Sequence, residues 1–511
     1  MTQLDAISLE ILWSRLISLV DEAAVTFQRA SFSTLVREAN DFAVVLTDAE
    51  GYSIAQSTKS IASFTATIPA TIRHMLKDYP PASLADGDVL VTNDPWLGTG
   101  HIHDITIMRP IFHRGDLVGF AGIASHLPDI GGRLRSAGIR EIFEEGLQIP
   151  VVKLVEKGVR NAALVDFIAR NVRVPEHTLG DIFGAISGCD ALARRLTGVL
   201  DSEALDLAAF GRELQDRSEA AMRRAIEKVP DGDYPSTVYH DGFEERVQIV
   251  CTVRVKGSEV AVDYTGTSPQ IPRAVNVVPS YRFAYTVYGL KCALAPHIPS
   301  NDGALRPFST SAPEGSILNP VYPAASGARN MIGHMLPVAV MNALAGVLGD
   351  RAQAEGAANS SFTMSGTHQG RRYAVVNFLN GGQGGTATRP GHDVLSFPSN
   401  LGNTPIEVME QLAPIRIHHR QLRRGSGGKG AQDGGDGLDI TFEFLGDEPA
   451  TCSFIVTRRI AVPRGLHGGR DGQPAEVRIN GKDIDPAEHQ LLRKGDIVDF
   501  RTAGGGGFGT P

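Results

Sequence analysis

Histidine and aspartate residues that could bind a transition metal flank one predicted β-hairpin. His101, His103 and Asp104 lie just before its first strand, and His126 lies just after its second strand. Imidazole and carboxylate groups together suit divalent transition metals such as Zn, Mn, Fe or Co. Two His and one Asp would leave coordination positions open for water or substrate, which is typical of catalytic rather than structural sites.

The hairpin itself is the clearest local pattern in the chain. Its strands are predicted at Ile105–Phe112 and Leu117–Ala124, and the turn at His113–Asp116. The start of the first strand and the end of the second must lie side by side in an antiparallel pair, with opposed Cα atoms about 4.5–5.5 Å apart. Residues more than twenty positions apart in the sequence are therefore expected to meet.

Counting back from the turn predicts which residues are opposed. If the two residues after His113 are the central turn residues, Asp104 faces Ser125 and His103 faces His126. Histidines at strand ends are also common as plain surface or hydrogen-bonding residues. Asp41, at the head of another predicted strand, is either a further carboxylate ligand or a turn or cap residue.

Three glycine-rich segments raise the question of nucleotide binding. They are Gly381–Gly385, Gly425–Gly430 and the C-terminal Gly504–Gly509. None has the Lys-Ser/Thr pair that follows the glycines of a P-loop. A tight chain path is favoured over nucleotide binding, and this chain is not predicted to bind ATP itself. A Gly-x-Ser-x-Gly nucleophile elbow between a strand and a helix is also missing.

The composition indicates a globular, loop-rich protein. Of 511 residues, 42% are hydrophobic, and 56 Gly and 29 Pro exceed the usual share. A net charge of −8 argues against nucleic acid as a partner. The four cysteines form no CxxC pair, so neither a disulfide framework nor a structural zinc site is expected. With no signal peptide and no apolar run of about 18–20 residues, we predict a cytoplasmic protein without a membrane span.

The fold class predicted from the pattern of elements is mixed α/β (α+β), multi-domain and loop-rich. A helix is predicted over Ala6–Gln28 with Asp5 as its cap, and helices continue through about 160–228. A cluster of turn residues at Pro230–Pro235 suggests a domain boundary. We predict an N-terminal metal-site domain (1–230), a central α/β domain (231–420) and a C-terminal β-rich region (421–511).

Several motifs, in order along nearly the whole chain, resemble the hydantoinase B/oxoprolinase family. They are Thr92-Asn-Asp-Pro-Trp96, Gly100-His-Ile-His-Asp104, Ser125-His-Leu-Pro-Asp-Ile-Gly-Gly132, Glu145-Gly-Leu-Gln-Ile-Pro150, Asp263-Tyr-Thr-Gly-Thr-Ser-Pro-Gln270, Gly425-Ser-Gly-Gly-Lys-Gly430, Gly465-Leu-His-Gly-Gly469 and Gly504-Gly-Gly-Gly-Phe-Gly509. A chance match to this ordered set is very improbable.

The resemblance implies a particular set of metal ligands. The family's His-x-x-Asp…His ligands fall on His101, Asp104 and His126, and an acidic ligand after the first helix falls on Asp41. This choice selects His101 over His103, which stands where the family often has Pro.

The resemblance also implies a function. Such a chain is the metal-containing B-type subunit of hydrolases of small cyclic amides (hydantoins, 5-oxoproline, lactams). Its partner is an A-type, actin-like ATPase subunit that uses ATP to activate the amide oxygen. Asp129 or Glu144 is expected to orient or deprotonate the attacking water, and two copies of each subunit are expected to assemble.

Two alternatives stay open at this point. One is a subunit of an ATP-dependent ketone carboxylase, of the acetone or acetophenone type, which would share the same metal site. The other is a catalytically idle scaffold for the ATPase, which the intact His101, Asp104 and His126 disfavour.

Overall fold

A computed structural model describes residues 6–511 of the chain, so the predicted cap Asp5 lies outside the described residues. The helices are α1 (Ala6–Ala30), α2 (Thr34–Arg37), α3 (Ala62–Asp78), α4 (Ala162–Asn171), α5 (Pro175–Glu203), α6 (Leu207–Ile226), α7 (Pro279–Leu294), α8 (Asp302–Leu305), α9 (Asn330–Gly333), α10 (Met335–Leu348) and α11 (Ile406–Leu412). Short 3-10 helices span Pro81–Ser83, Ile142–Glu144 and Gly349–Arg351.

The strands of the first half are β1 (Phe42–Thr47), β2 (Ser53–Gln56), β3 (Val89–Thr92), β4 (Asp104–His113), β5 (Asp116–His126), β6 (Val152–Glu156), β7 (Val159–Arg160), β8 (Gly232–His240), β9 (Val247–Lys256) and β10 (Glu259–Asp263). Those of the second half are β11 (Phe308–Ser311), β12 (Asn359–His368), β13 (Arg371–Asn380), β14 (Ile415–Arg423), β15 (Gly437–Phe444), β16 (Ala450–Ile455), β17 (Glu476–Ile479), β18 (Lys482–Asp483), β19 (Gln490–Leu492) and β20 (Ile497–Arg501). The mixed α/β, multi-domain fold class is thereby confirmed.

The chain forms two compact units. The first contains the described residues up to Ile130 together with Leu147–Lys228 and His297–Phe308. The second contains Gly131–Gly146, Val229–Pro296 and Ser309–Pro511. The division into three domains at residues 230 and 420 stays a prediction.

A seven-stranded antiparallel sheet, in the order β2-β1-β5-β4-β3-β6-β7, is the framework of the first unit. Successive residues of β5 point to opposite faces of this sheet. Ile123 contacts Gly188 of α5, whereas a Cβ at Gly122 would meet Ile68 and Ile72 of α3. Helices therefore cover both faces, which explains why every residue of β1 is buried.

The turn of the central β4–β5 hairpin forms as predicted. His113 is paired with Asp116, and Arg114 and Gly115 between them have φ angles of 53° and 93°. Left-handed conformations at both central positions are those of a type I′ turn, which matches the twist of the strands.

The pairing farther from the turn differs from the prediction. A β-bulge between Ile111 and Phe112 shifts the register by one residue, so Asp104 rather than His103 lies opposite His126. The predicted pairing of His103 with His126 is wrong, because counting back from the turn assumes an uninterrupted ladder.

The last strands of the chain form two sheets that share an aromatic core. Their orders are β13-β12-β16-β19 and β14-β15-β20-β17-β18. Phe362 of β12 stacks on Phe442 of β15 with ring centroids 4.9 Å apart, and Phe454 of β16 lies 6.0 Å from Phe500 of β20. All four rings are buried, so this core holds the two sheets face to face.

The glycine-rich segments of the second unit pack backbone against backbone. The Gly505 N–H donates to the Gly435 carbonyl (2.9 Å), its carbonyl accepts from the Gly428 N–H (2.8 Å), and a Cβ on it would lie 2.0 Å from the Gln383 carbonyl oxygen. A Cβ would meet a backbone atom at 1.8–2.2 Å at Gly382, Gly384, Gly391, Gly427, Gly428, Gly434, Gly435, Gly465, Gly469, Gly472, Gly504 and Gly506 as well. Only residues without a Cβ permit this approach, which confirms the predicted tight chain path.

One stretch, Asn330–Arg351, is long and apolar enough by composition to cross a membrane. Of its most apolar window, 78% is buried inside the protein. Its apolar side chains include Met335, Leu336 and Leu344, all at most 2% exposed. Such extensive burial is typical of a helix in the core of a protein.

Replacing Gly505 with Ala tests the glycine packing. Because the new methyl would overlap a backbone carbonyl rather than a flexible side chain, we expect Gly505→Ala to lower the free energy of unfolding by more than about 3 kcal/mol. The measurement is the thermal and urea unfolding midpoint of the purified variant.

The matched control is Gly198→Ala, on the exposed face of α5, where an added Cβ would meet nothing within 4 Å. Since Ala is the better helix former, this change should raise stability by about 0.5–1 kcal/mol. A Gly505→Ala protein that unfolds at the wild-type midpoint would contradict the packing described here.

Candidate metal centre

Two imidazoles and one carboxylate meet at a single oxygen atom in the first unit. Asp104 Oδ1 lies 2.7 Å from His101 Nε2 and 3.0 Å from His126 Nδ1. One potential ligand atom from each of the three residues lies within 4.8 Å of the others. All three side chains are at most 4% exposed, so the cluster is shielded from bulk water.

The backbone sets this convergence through two local features. Asp104 begins β4 directly opposite His126, the last residue of β5. His101 lies three residues earlier in a turn, in which the Asp104 N–H donates to the His101 carbonyl (3.2 Å). The ladder therefore places Asp104 beside His126, and the turn returns His101 to the same point.

Asn93 fixes the loop that carries His101. Its side-chain amide donates to the carbonyls of Ile102 (2.8 Å) and Leu147 (2.9 Å), and its side-chain oxygen accepts from the Ile149 N–H (2.6 Å). This buried side chain ties the loop to the segment that follows residue 147. Such support holds potential ligands in place before an ion arrives.

The ring of His103 packs against the rings of this group. Its ring is nearly parallel to that of His126, with an angle of 9° and centroids 5.7 Å apart, and it lies 5.1 Å from the ring of His101. The three-residue group identified by its ligand atoms contains His101 rather than His103. That His101 rather than His103 is the ligand stays a prediction.

Asp41 adjoins the cluster through its backbone. It is 7% exposed, directly precedes β1, and its carbonyl accepts a hydrogen bond from the His126 N–H at 3.0 Å. Its carboxylate is not one of the three groups brought together above. Its role as a further ligand stays a prediction.

Asp129, the first predicted catalytic carboxylate, lies three residues after His126 and is paired with Arg173. The Arg173 guanidinium donates to Oδ1 at 2.5 Å, and the Arg173 backbone N–H donates to Oδ2. Asp129 would act as a base only after releasing this arginine. The pair fixes the loop after β5, and the catalytic role stays a prediction.

Glu144, the second predicted catalytic carboxylate, belongs to the other unit. Its Oε2 accepts from the Arg133 guanidinium at 2.7 Å, and this hydrogen bond lowers the pKa of Glu144 below its usual value. A lowered pKa makes a carboxylate a weaker base near neutral pH. The catalytic role of Glu144 likewise stays a prediction.

The neighbouring Glu145, which sequence reasoning passed over, has a very different environment. It is fully buried, and its Oε1 accepts from the backbone N–H groups of Ser326 and Gly327, each at 2.6 Å. Burial raises the pKa of Glu145 to about 7 in spite of the nearby Arg135 and Arg329. Its motif, Glu145-Gly-Leu-Gln-Ile-Pro150, was visible in the sequence, but only the fold shows which of two adjacent glutamates is buried.

The donor set of the cluster fits a divalent transition metal. Two imidazole nitrogens and one carboxylate oxygen are the ligand types that Zn, Mn, Fe and Co accept, whereas Ca and Mg prefer oxygen alone. Placing a carboxylate and two imidazoles in a buried site is costly unless a cation or protons compensate the charge.

A family model described as hydantoinase B/oxoprolinase matches residues 5–511. The chain is 28% identical to the B-type subunit of a putative D-/L-hydantoinase from Pseudomonas sp. (strain NS671). That alignment covers 100% of this chain and 90% of the relative.

Two solved structures have a similar fold. The ATP-dependent caprolactamase from Pseudomonas jessenii aligns with a TM-score of 0.89 and 26% identity, over 100% of this chain and 92% of the other. The nucleotide-free acetone carboxylase aligns with a TM-score of 0.87 over 98% of this chain and 75% of the other. At 20% identity, the second likeness shows the fold alone.

The two neighbouring histidines can be separated by metal affinity. We expect His101→Ala to weaken Mn²⁺ or Zn²⁺ binding by more than about 100-fold, and His103→Ala by about tenfold, because His103 only supports the ligand rings. Metal titration followed by elemental analysis after dialysis gives both values. A greater loss in His103→Ala would make His103 the ligand.

The two adjacent glutamates should give opposite pH dependences of stability. The folded-state pKa of Glu145, about 7, exceeds its ordinary 4.5, so the folded protein holds an extra proton between these pH values. Wild type should therefore lose stability relative to Glu145→Gln as pH rises from 4.5 to 7, by at most about 1.4 kcal/mol per pH unit.

Glu144→Gln is the control for this experiment. Because the pKa of Glu144 is lowered, its contribution to stability is present above pH 4.5 and is lost on acidification. The stability of wild type relative to Glu144→Gln should therefore increase as the pH rises. Urea midpoints from about pH 3 to about pH 8 measure both differences, because the Glu144 contribution changes below pH 4.5 and that of Glu145 changes above it. Parallel profiles for the two variants would contradict the buried environment of Glu145.

Proposed function

The chain belongs to the hydantoinase B/oxoprolinase family, and we propose that it is the metal-containing B-type subunit of an ATP-dependent hydrolase of small cyclic amides. The substrate class is that of hydantoins, 5-oxoproline or lactams. Hydrolase activity is supported by the relatives named above, a hydantoinase subunit and an ATP-dependent caprolactamase.

The observation that carries the proposal is the convergence of His101 and His126 on Asp104 Oδ1. These three side chains would hold one divalent ion. When bound, such an ion supplies Lewis-acid stabilisation of developing oxyanion charge and lowers the pKa of a water molecule.

The surrounding residues of the chain hold this group in place. Asn93 fixes the loop that carries His101, and the Asp129–Arg173 pair fixes the loop after His126. We propose Asp41 as a further ligand, and Asp129 or Glu144 as the group that orients or deprotonates the attacking water. Asp129 fits an orienting role better than that of a base, because both its oxygens already accept hydrogen bonds from Arg173.

We propose that an A-type, actin-like ATPase subunit is the partner and that it, rather than this chain, uses ATP. Phosphorylation of the amide oxygen by the partner would activate the ring carbon. Water would then add to this carbon in the site of this chain, and the ring C–N bond would break as the nitrogen takes up a proton. Hydrolysis of the resulting acyl phosphate would give the open-chain acid and phosphate. The glycine segments that might have suggested a phosphate site are filled by neighbouring backbone. A cytoplasmic assembly with two copies of each subunit is the proposed form, and Zn or Mn the proposed metal, with Fe or Co as alternatives.

The second candidate function is that of a ketone carboxylase subunit, favoured by the fold shared with acetone carboxylase. Hydrolase and carboxylase would use the same His101, Asp104 and His126, so the ligands do not separate them. Dependence of the reaction on bicarbonate separates the two functions. An idle scaffold would need none of the three residues.

Activity should require both subunits. We expect the isolated chain neither to hydrolyse ATP nor to open hydantoin, 5-oxoproline or lactam rings, and the mixture with its ATPase partner to do so with ATP. The measurement is ring opening, followed by chromatography, for each subunit alone and for the pair. Robust hydrolysis by this chain alone would contradict the division of labour, and a requirement for bicarbonate would favour the carboxylase.

A matched pair of substitutions in one hairpin links that activity to the candidate site. His126→Ala should abolish turnover of the assembled enzyme, because it removes a ligand. His113→Ala, at the turn end of the same hairpin and paired with Asp201, should retain it. Equal activity in the two variants would support the idle scaffold instead.

A further inference from the structure

A cavity of about 340 Å³ lies within the second unit. Part of its wall is apolar, since Met331, Phe454 and Val456 line it and are each at most 5% exposed. Cavities of this size with an apolar wall and a few polar groups are typical of sites for small organic molecules.

Arg459 lines this cavity on a loop whose backbone is pinned. The carboxylate of Asp241 accepts from the N–H groups of Arg459 (2.8 Å), Ile460 (2.8 Å) and Ala461 (2.7 Å). Arg458, just before them, has the left-handed φ of 66° and is buried against Glu355. The Arg459 guanidinium itself has no acceptor among the described residues, although the side chain is only partly exposed.

His240 contributes a second unused donor. Its Nδ1 accepts from the Gly242 N–H at 3.1 Å, so the proton of the neutral ring lies on Nε2. Burial lowers the pKa of His240 to about 4, which keeps the ring neutral at physiological pH. Within the described part of the chain, no group accepts from this buried Nε2.

Arg273 contributes a third. Its guanidinium pairs with Glu244 and lies over the ring of Phe243, 5.4 Å from the centroid. Its Nε is buried, and none of residues 6–511 accepts a hydrogen bond from it. Burying a donor without an acceptor is costly. His240 Nε2 and Arg273 Nε are two such buried donors, and together with the part-exposed Arg459 guanidinium they favour a ligand that supplies acceptors.

The acidic side chains of the cavity do not compete for these donors. Asp241 is satisfied by three backbone N–H groups, and Glu244 is paired with Arg273. Asp485 is exposed and accepts from the Ala487 N–H. The polar groups of the cavity that lack hydrogen-bond partners are therefore donors.

We propose that this cavity binds the carboxylate of a small organic acid, with Arg459 as the principal contact and the acid's apolar body against Met331, Phe454 and Val456. The planar guanidinium matches a carboxylate with two parallel hydrogen bonds, and the apolar wall favours an organic acid over a bare inorganic anion.

Benzoate and benzamide are the probes, because they share a shape and differ in charge. Saturation-transfer NMR on the full chain should show benzoate binding, with benzamide and inorganic phosphate at least about tenfold weaker. Arg459→Gln should weaken benzoate binding by about tenfold or more and leave benzamide binding unchanged. The benzoate affinity of Arg459→Lys should lie between those of wild type and Arg459→Gln, because lysine keeps the charge but lacks the planar guanidinium that makes two parallel hydrogen bonds.

Arg371→Gln is the control, since Arg371 is an exposed arginine in the β12–β13 hairpin and does not line the cavity. It should bind benzoate as wild type does. Equal losses in Arg371→Gln and Arg459→Gln, equal binding of benzamide, preference for phosphate, or no benzoate binding would each overturn the proposal. Unchanged unfolding midpoints in the Arg459 variants show that the pinned loop is intact, because Asp241 binds its backbone rather than its side chain.

Discussion

The candidate site depends on one buried carboxylate oxygen. Asp104 Oδ1 lies within hydrogen-bonding distance of two imidazole nitrogens. The site is buried, so a charge without compensation would be costly there. Three features hold that arrangement: the strand pairing places Asp104 opposite His126, the turn brings His101 back to Asp104, and Asn93 fixes the loop that carries His101. A hairpin with helices on both faces of its sheet is a rigid base for such a group.

The high glycine content has a structural explanation in the second unit. Segments around Gly382, Gly428 and Gly505 approach each other so closely that a Cβ on any of them would overlap a backbone atom. Their N–H and carbonyl groups bond to one another, as the Gly505 bonds to Gly435 and Gly428 illustrate. The same residues that might suggest a phosphate-binding loop thus form a packed core of backbone.

The sequence was sufficient for the fold class and for the position of the hairpin turn, with Arg114 and Gly115 at its centre, because these follow from periodicity and from the turn residues between the two strands. The pairing at the far end of the hairpin was predicted one residue out of register, because a β-bulge leaves no mark in the apolar pattern. The family resemblance, which selects His101, agrees with the group that the fold assembles. The buried state of Glu145 and the unsatisfied donors around Arg459 arise from contacts between distant segments, which no local pattern encodes.

The central claim is that the hairpin end assembles a site for a divalent ion. Anomalous diffraction from crystals of the protein grown with Mn²⁺ tests it most directly, because the ion is located without assuming its ligands. The account predicts the strongest anomalous peak at about 2.0–2.3 Å from nitrogen atoms of His101 and His126 and an oxygen of Asp104. A fully loaded protein whose ion lies elsewhere, with these three side chains bonded only to one another, would contradict it.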